Sequence, residues 1–145
     1  MATVNSVGYT NANATPPTNE KPSVAGGRVR VYYDEYTQGA ADGSIGDIIQ
    51  FRNLPEGARV LPGGKCFFGT GNASATLKIG VTGADATLKA ATAITTAGNM
   101  ALEDHLAGGL AYTAPAGGIA VIATNAVAAI KAAQKIAITL LYAID

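Results

Sequence analysis

The chain has 145 residues, of which 48% are hydrophobic, 14% charged and 6% aromatic, and this size suits one domain. Ten lysines and arginines balance ten aspartates and glutamates. No net charge therefore attracts nucleic acid or an anionic membrane, and a dedicated nucleic-acid binder is disfavoured. Because the charged fraction is below the roughly 25% usual for soluble domains, we expect part of the surface to be buried against other chains.

Residues 1–27 are rich in Asn, Thr, Pro and Ala and show no strand or helix periodicity. The Pro16–Pro17 pair and Pro22 favour extended backbone and disfavour a helix. We predict an extended N-terminal arm at 1–27, held mainly by neighbouring subunits, and a folded domain at 28–145. No stretch has the signature of a signal peptide or a membrane span, so we expect synthesis in the cytoplasm and no membrane partner.

Alternating apolar residues predict the first strands. Residues 28–36 form the first run, and we expect Val29, Val31 and Tyr33 to face the core, with Arg28, Arg30 and Tyr32 on the other face. Residues 45–51 alternate again and stop at a predicted type I turn, Leu54–Gly57. Two short strands, 58–61 and 65–68, should follow as antiparallel neighbours.

The second half of the chain has two clear strand patterns and one weak region. Residues 75–81 and 135–144 alternate strongly, and 119–123 has the composition of a buried strand. Residues 83–117 are predicted as mixed: 84–97 as helix or loop and 100–106 as a helical turn, while 126–134 has some helix propensity. Six or seven strands separated by turns favour a β-sandwich or barrel.

No pattern in the sequence predicts catalysis, a metal or a cofactor. His105 is the only histidine, and with Glu103 and Asp104 it is interpreted as a solvated cap on a helical turn. Cys66, the only cysteine, is predicted as a small buried residue, with an interchain disulfide as the minor alternative. The Gly-rich stretches lack the residues of a phosphate-binding loop, and the acidic residues lack calcium-loop spacing. We therefore expect no enzyme.

Arg28, Arg30 and Tyr32 share one predicted strand face. Such a face can bind single-stranded nucleic acid by charge and stacking. Asp34 falls on the same face and the net charge is zero, so an interface or a salt-linked surface is the favoured interpretation.

Several segments together resemble proteins of a known kind. They are the run Gly26–Tyr36, Gly46–Ile49 leading to Leu54–Leu61, the strand Thr76–Gly80 and the closing Lys135–Tyr142. They resemble small structural proteins of tailed-bacteriophage heads, and head decoration (cement) proteins in particular. The resemblance covers roughly residues 20–145.

The resemblance implies an all-β, jelly-roll-like β-sandwich with an extended N-terminal arm. It also implies a homotrimer on the outer surface of the virion, bound across major capsid protein subunits and stabilising the head. We expect the arm and the adjoining strand to make the partner contacts, through Val4, Val7, Tyr9, Pro16, Pro17, Lys21, Pro22, Arg28, Arg30 and Tyr32.

Two alternatives remain open at this point. One is another virion role, in the head-tail connector, tail or baseplate, where β-sandwiches also occur. The other is a carbohydrate-binding or adhesion module, because jelly rolls also form lectins. Sugar sites usually present aromatic faces, and this chain has no Trp, six Tyr and three Phe.

Overall fold

The computed structural model describes residues 5–18, 27–106 and 112–144. Within these ranges the secondary structure is one short helix, a 3₁₀ turn at Asp104–Leu106 and a series of strands. The elements are α1 (Val7–Ala12), β1 (Arg28–Thr37), β2 (Ile48–Leu54), β3 (Arg59–Phe68), β4 (Thr76–Val81), β5 (Ala84–Ala93), β6 (Gly98–Ala101), β7 (Ile119–Ala126) and β8 (Lys135–Ile144). None of the described helices is long and apolar enough to cross a membrane.

The strands form two four-stranded antiparallel sheets. The first sheet has the order β1-β8-β3-β6, and the second has the order β2-β7-β4-β5. Strands that follow one another along the chain alternate between the sheets, except β4 and β5, which pair directly. This eight-stranded order is that of a jelly roll. The prediction of an all-β, jelly-roll-like sandwich is confirmed.

The hydrophobic core lies between the inner faces of the two sheets. β8 contributes Ile136, Ile138 and Leu140, and β4 contributes Leu77 and Ile79, all with no exposed side-chain area. These are the alternating positions that the sequence predicts for both strands, because every second side chain of a strand points to the same face. The prediction of strands at 75–81 and 135–144 is confirmed.

The region predicted as mixed is mostly strand. Residues 84–93 form β5, which pairs with β4 at the edge of the second sheet, and not a helix or loop. Only Leu88 of this strand is buried. The sequence accordingly lacks the alternation of apolar residues that marks a half-buried strand, which is why the strand was not predicted. The helix propensity at 126–134 is also overruled, because Val127 and Ala133 have φ of 69° and 59°, outside the right-handed helical region.

Two local predictions around β3 need correction. The segments 58–61 and 65–68 belong to one strand whose register against β8 shifts between Leu61 and Lys65. The preceding turn lies one residue later than predicted: Ala58 N–H donates to the Pro55 carbonyl at 3.1 Å. Gly57, the third residue of that turn, has φ of +72°, so the turn is type II.

The N-terminal segment contains a short helix, α1, where the sequence predicts extended backbone. Ser6 caps α1, because its side-chain oxygen accepts from Tyr9 N–H at 3.2 Å. The prolines at 16 and 17 follow the end of α1 at Ala12 and so do not interrupt it. The domain boundary after residue 27 stays a prediction.

Candidate interaction surface

β1 directs Tyr32 into the core and exposes the three side chains that were predicted to face inward. Val29, Val31 and Tyr33 are 63%, 67% and 53% exposed, whereas Tyr32 is 5% exposed. Valine and tyrosine are both favoured in strands, so alternation alone does not decide which set is buried. The prediction that Val29, Val31 and Tyr33 face inward is wrong.

Tyr32 is buried because its ring and its hydroxyl are both satisfied inside the sandwich. The ring belongs to the core cluster, and the hydroxyl donates to the Arg52 carbonyl of β2 at 2.7 Å. Burial, with the Asp34 carboxylate as a second cause, raises the pKa of this phenol well above its usual range. As a predicted partner contact, Tyr32 therefore offers little surface.

Asp34 joins the two sheets beside Tyr32. One carboxylate oxygen accepts from Arg52 N–H at 2.8 Å, and the other accepts from Glu35 N–H at 2.9 Å. The edge of β2 is thus covered by two side chains of β1, those of Tyr32 and Asp34.

The outer side of the first sheet carries an apolar surface that Thr139 and Lys65 interrupt. Val31 lies opposite Leu141 of β8, which lies opposite Leu61 of β3. We call this surface the apolar outer face, and its members are Val29, Val31, Tyr33, Leu61, Phe67, Ala137 and Leu141. Large exposed apolar surfaces of this kind mark interaction sites.

All four arginines of the chain lie on the first three strands. Arg28 and Arg30 are on β1, Arg52 is on β2 and Arg59 is on β3. Arg59 and Val29 both lie opposite Ala143, so the arginines of β1 and β3 flank the end of β8. Arginine is enriched in protein interfaces and lysine is depleted there. This end of the sandwich therefore has the side chains of an interface.

The other predicted contact residues fall partly outside the described residues. Val4, Lys21 and Pro22 lie outside them, and Val7 is the first residue of α1. Tyr9 is 58% exposed on α1, and the structure also exposes Pro16 and Pro17. Arg28 and Arg30 are exposed on β1. Their contact with a partner stays a prediction.

Glu103 and Asp104 form hydrogen bonds that hold the fold together, and His105 lies beside them. Glu103 accepts from Gly63 N–H at 2.9 Å, and Asp104 accepts from Ala90 N–H at 2.8 Å and from the Lys89 ammonium at 2.9 Å. The His105 ring nitrogens are buried. Burial lowers the pKa of His105, and the Val60 backbone and nearby carboxylates oppose that shift only in part. The interpretation of this trio as a solvated cap is therefore wrong for the histidine.

Cys66 is a free, fully buried thiol in β3, as predicted. Burial raises the pKa of this thiol to about 12. Among the described residues no three His, Cys, Asp or Glu side chains come together to hold a metal ion.

Comparison with solved structures finds the same fold in phage capsids. A chain of the cyanophage Pam1 capsid asymmetric unit is similar over 92% of this chain and 97% of its own length, with TM-score 0.64 and 22% identity. A chain of the Ralstonia phage GP4 capsid is similar over 82% of this chain and 86% of its own, with TM-score 0.62 and 19% identity. No protein-family model and no curated protein sequence matches the chain. At these identities the likeness establishes the shared fold.

Proposed function

We propose that the protein is a virion structural protein that decorates the head of a tailed phage. In this role it binds across major capsid protein subunits on the outer surface, as a homotrimer, and stabilises the shell. The observation that supports the proposal is the structural similarity to a chain of the Pam1 capsid, which covers 92% of this chain and 97% of that one. The proposed role is binding, not catalysis.

The surface of the domain supports this proposal. A protein that holds a shell together against internal pressure works by covering area, and burial of apolar area contributes about 25 cal/mol per Å². The apolar outer face supplies such area, with Val29 and Val31 each more than 60% exposed. The arginines on β1, β2 and β3 supply side chains suited to bidentate contacts with carboxylates.

The direct test is the copy number of the protein in purified particles. Quantitative mass spectrometry should give a ratio to the most abundant shell protein that is near one or a simple fraction of it. A ratio far below that value would favour a connector, tail or baseplate role. Absence from particles would overturn the proposal and return attention to carbohydrate binding, which a glycan array then tests.

A further inference from the structure

Three of the four sheet edges in this jelly roll are blunted, and β1 is the exception. β6 has only 4 residues. β2 has a register shift between Gln50 and Asn53, and the side chains of Tyr32 and Asp34 occupy the Arg52 carbonyl and N–H. β5 has two register shifts, and its Ala90 N–H donates to Asp104. Bulges, short strands and capped backbone groups are the usual means by which proteins prevent edge pairing.

β1 has no bulge and no capped backbone group along its first half, where its only edge-protecting feature is the charge of Arg28 and Arg30. It is 10 residues long and pairs with β8 in one unbroken register from Arg28 to Thr37. Among the described residues, β8 is its only neighbour in the sheet. A long and regular edge strand is a template for pairing with another strand, and the side chains of Val29, Val31 and Tyr33 give the outer face of β1 apolar character.

The hydrogen bonds around β1 show which backbone groups face away from β8. Gln38 N–H donates to the Gln134 carbonyl and extends the hydrogen-bond ladder between β1 and β8. The even-numbered residues of β1 are therefore the ones whose N–H and C=O groups bond to β8. Glu35 N–H donates instead to the side chain of Asp34. Because the backbone groups of an antiparallel strand point alternately to either side, the N–H and C=O groups of Val29, Val31 and Tyr33 face the open edge.

We propose that β1 pairs with β1 of a second copy of this chain, antiparallel and around a two-fold axis at Tyr32. In this register Val31 lies opposite Tyr33 of the second copy, so the outward-facing backbone groups of these two residues form hydrogen-bonded pairs, while Glu35 N–H keeps its bond to Asp34. Arg30 then lies opposite Asp34 of the second copy, and the symmetry repeats that charge pair.

The pairing of Arg30 with Asp34 favours this register over the two registers that are shifted by two residues. A shift of one strand by two residues in one direction leaves Arg30 opposite Tyr36, without a carboxylate. The opposite shift places Arg28 opposite Asp34 but shortens the overlap of the strands. Asp34 already accepts two hydrogen bonds, and a carboxylate has about four acceptor sites, so it can still accept from a guanidinium. The charges of β1 are thus complementary to those of β1 in a second copy of the chain.

The pairing places the apolar outer faces of two copies side by side. It also goes beyond the proposed function, because it is a property of the chain that needs no capsid. A two-fold contact is compatible with a homotrimer, since icosahedral symmetry includes two-fold axes.

A pair of cysteines tests the register. In the paired strands, positions 30 and 34 of opposite copies form a non-hydrogen-bonded pair with Cα atoms about 4.5 Å apart, which is within disulfide range. The purified R30C/D34C variant should give a covalent pair of chains on mild oxidation. The matched control R28C/D34C, which removes the same Asp34, should not. No covalent pair, or equal yields from both variants, would overturn the proposed register.

A proline at Val31 tests the pairing without touching Asp34. Since Val31 N–H faces away from β8, V31P removes a donor of the open edge and leaves the β1–β8 ladder intact. We expect at least a tenfold weaker self-association in sedimentation experiments, whereas V31T should retain it. In hydrogen exchange, the Val31 and Tyr33 amides of the unmodified protein should become protected as concentration rises. Exchange that is fast at every concentration, or protected in a monomer, would overturn pairing with a second copy.

Discussion

Asp104 ties the edge of β5 to the 3₁₀ turn with both carboxylate oxygens. Its hydrogen bonds from Ala90 N–H and the Lys89 side chain lower the pKa of this carboxyl below its usual value. A folded-state pKa below the unfolded one means that the contribution to stability is present above about pH 4, the ordinary carboxyl pKa. It is lost as the pH falls through the lower folded value.

Replacing Asp104 by Asn should therefore destabilise the protein in a pH-dependent way. The substitution removes the charge, so the stability deficit of D104N should be present at pH 7 and shrink below about pH 4. Urea unfolding at pH 7 and pH 3 measures this difference. The control D85N removes a half-exposed ion pair with Lys78, 3.1 Å long, in which Asp85 accepts no backbone N–H among the hydrogen bonds of the described residues, and it should have a smaller effect at both pH values. A deficit for D104N that is equal at both pH values would contradict the assignment.

Cys66 should be chemically silent in the folded protein. Its thiol is fully buried, and burial raises its pKa to about 12, so almost no thiolate is present at pH 8. An aromatic disulfide reagent should label the native protein only at the rate of unfolding, and should label it rapidly in 6 M guanidinium chloride. Fast labelling of the native protein at pH 8 would show that this part of β3 opens.

At the scale of elements, the β4–β5 hairpin depends on a close backbone approach at Gly80. A Cβ atom at this position would overlap the Ala84 carbonyl oxygen and the Asp85 backbone. G80A should therefore destabilise the fold by roughly 1–3 kcal/mol, the usual cost of overpacking. Denaturant unfolding measures the effect.

Gly39 provides the matched control, because a Cβ atom there would meet nothing within 4 Å. G39A should be neutral or stabilise the protein by about 0.4–1 kcal/mol, through the lower entropy of the unfolded chain. Equal losses of stability in G80A and G39A would contradict the role assigned to Gly80.

The elements also show where sequence patterns carry structural information. β8 was predictable because Ile136, Ile138 and Leu140 alternate with residues that face outward. β5 was not, because most of its side chains are Ala and Thr and its strand conformation comes from pairing with β4. The facing of β1 depended on a long-range bond, from the Tyr32 hydroxyl to the Arg52 carbonyl. Such a bond leaves no local signal in the sequence.

The candidate interaction surface was also only partly predictable from local sequence patterns. The sequence placed Arg28 and Arg30 together on one strand face, and the structure adds Arg52 and Arg59 from the next two strands. Strand pairing brings Arg28, Arg30 and Arg59 beside the end of β8, and no spacing in the sequence encodes that arrangement. The sequence also does not show that β1 is an edge strand. Its place in the sheet is set by pairing with β8, which is the last strand along the chain.

At the scale of the whole molecule, the N-terminal segment and the sandwich should be separable. The eight strands begin at Arg28, and the core cluster of the described residues begins at Tyr32. Deletion of residues 1–24 should therefore leave a folded domain whose melting temperature changes by only a few degrees, because little core area is lost. Circular dichroism and thermal melting measure this first result.

Under the proposed function, the same deletion should weaken binding to heads that lack the protein. Extended segments bind neighbours through main-chain hydrogen bonds and side-chain pockets, and their loss should reduce affinity at least tenfold, or about 1.4 kcal/mol. Cosedimentation of the full-length and truncated chains with stripped heads compares the two affinities. Deletion of residues 1–4 alone is the control, because it retains α1 and its cap Ser6. Undiminished binding by a folded 1–24 deletion would assign head binding to the sandwich, where the apolar outer face and the arginines of β1, β2 and β3 are the surfaces left to carry it.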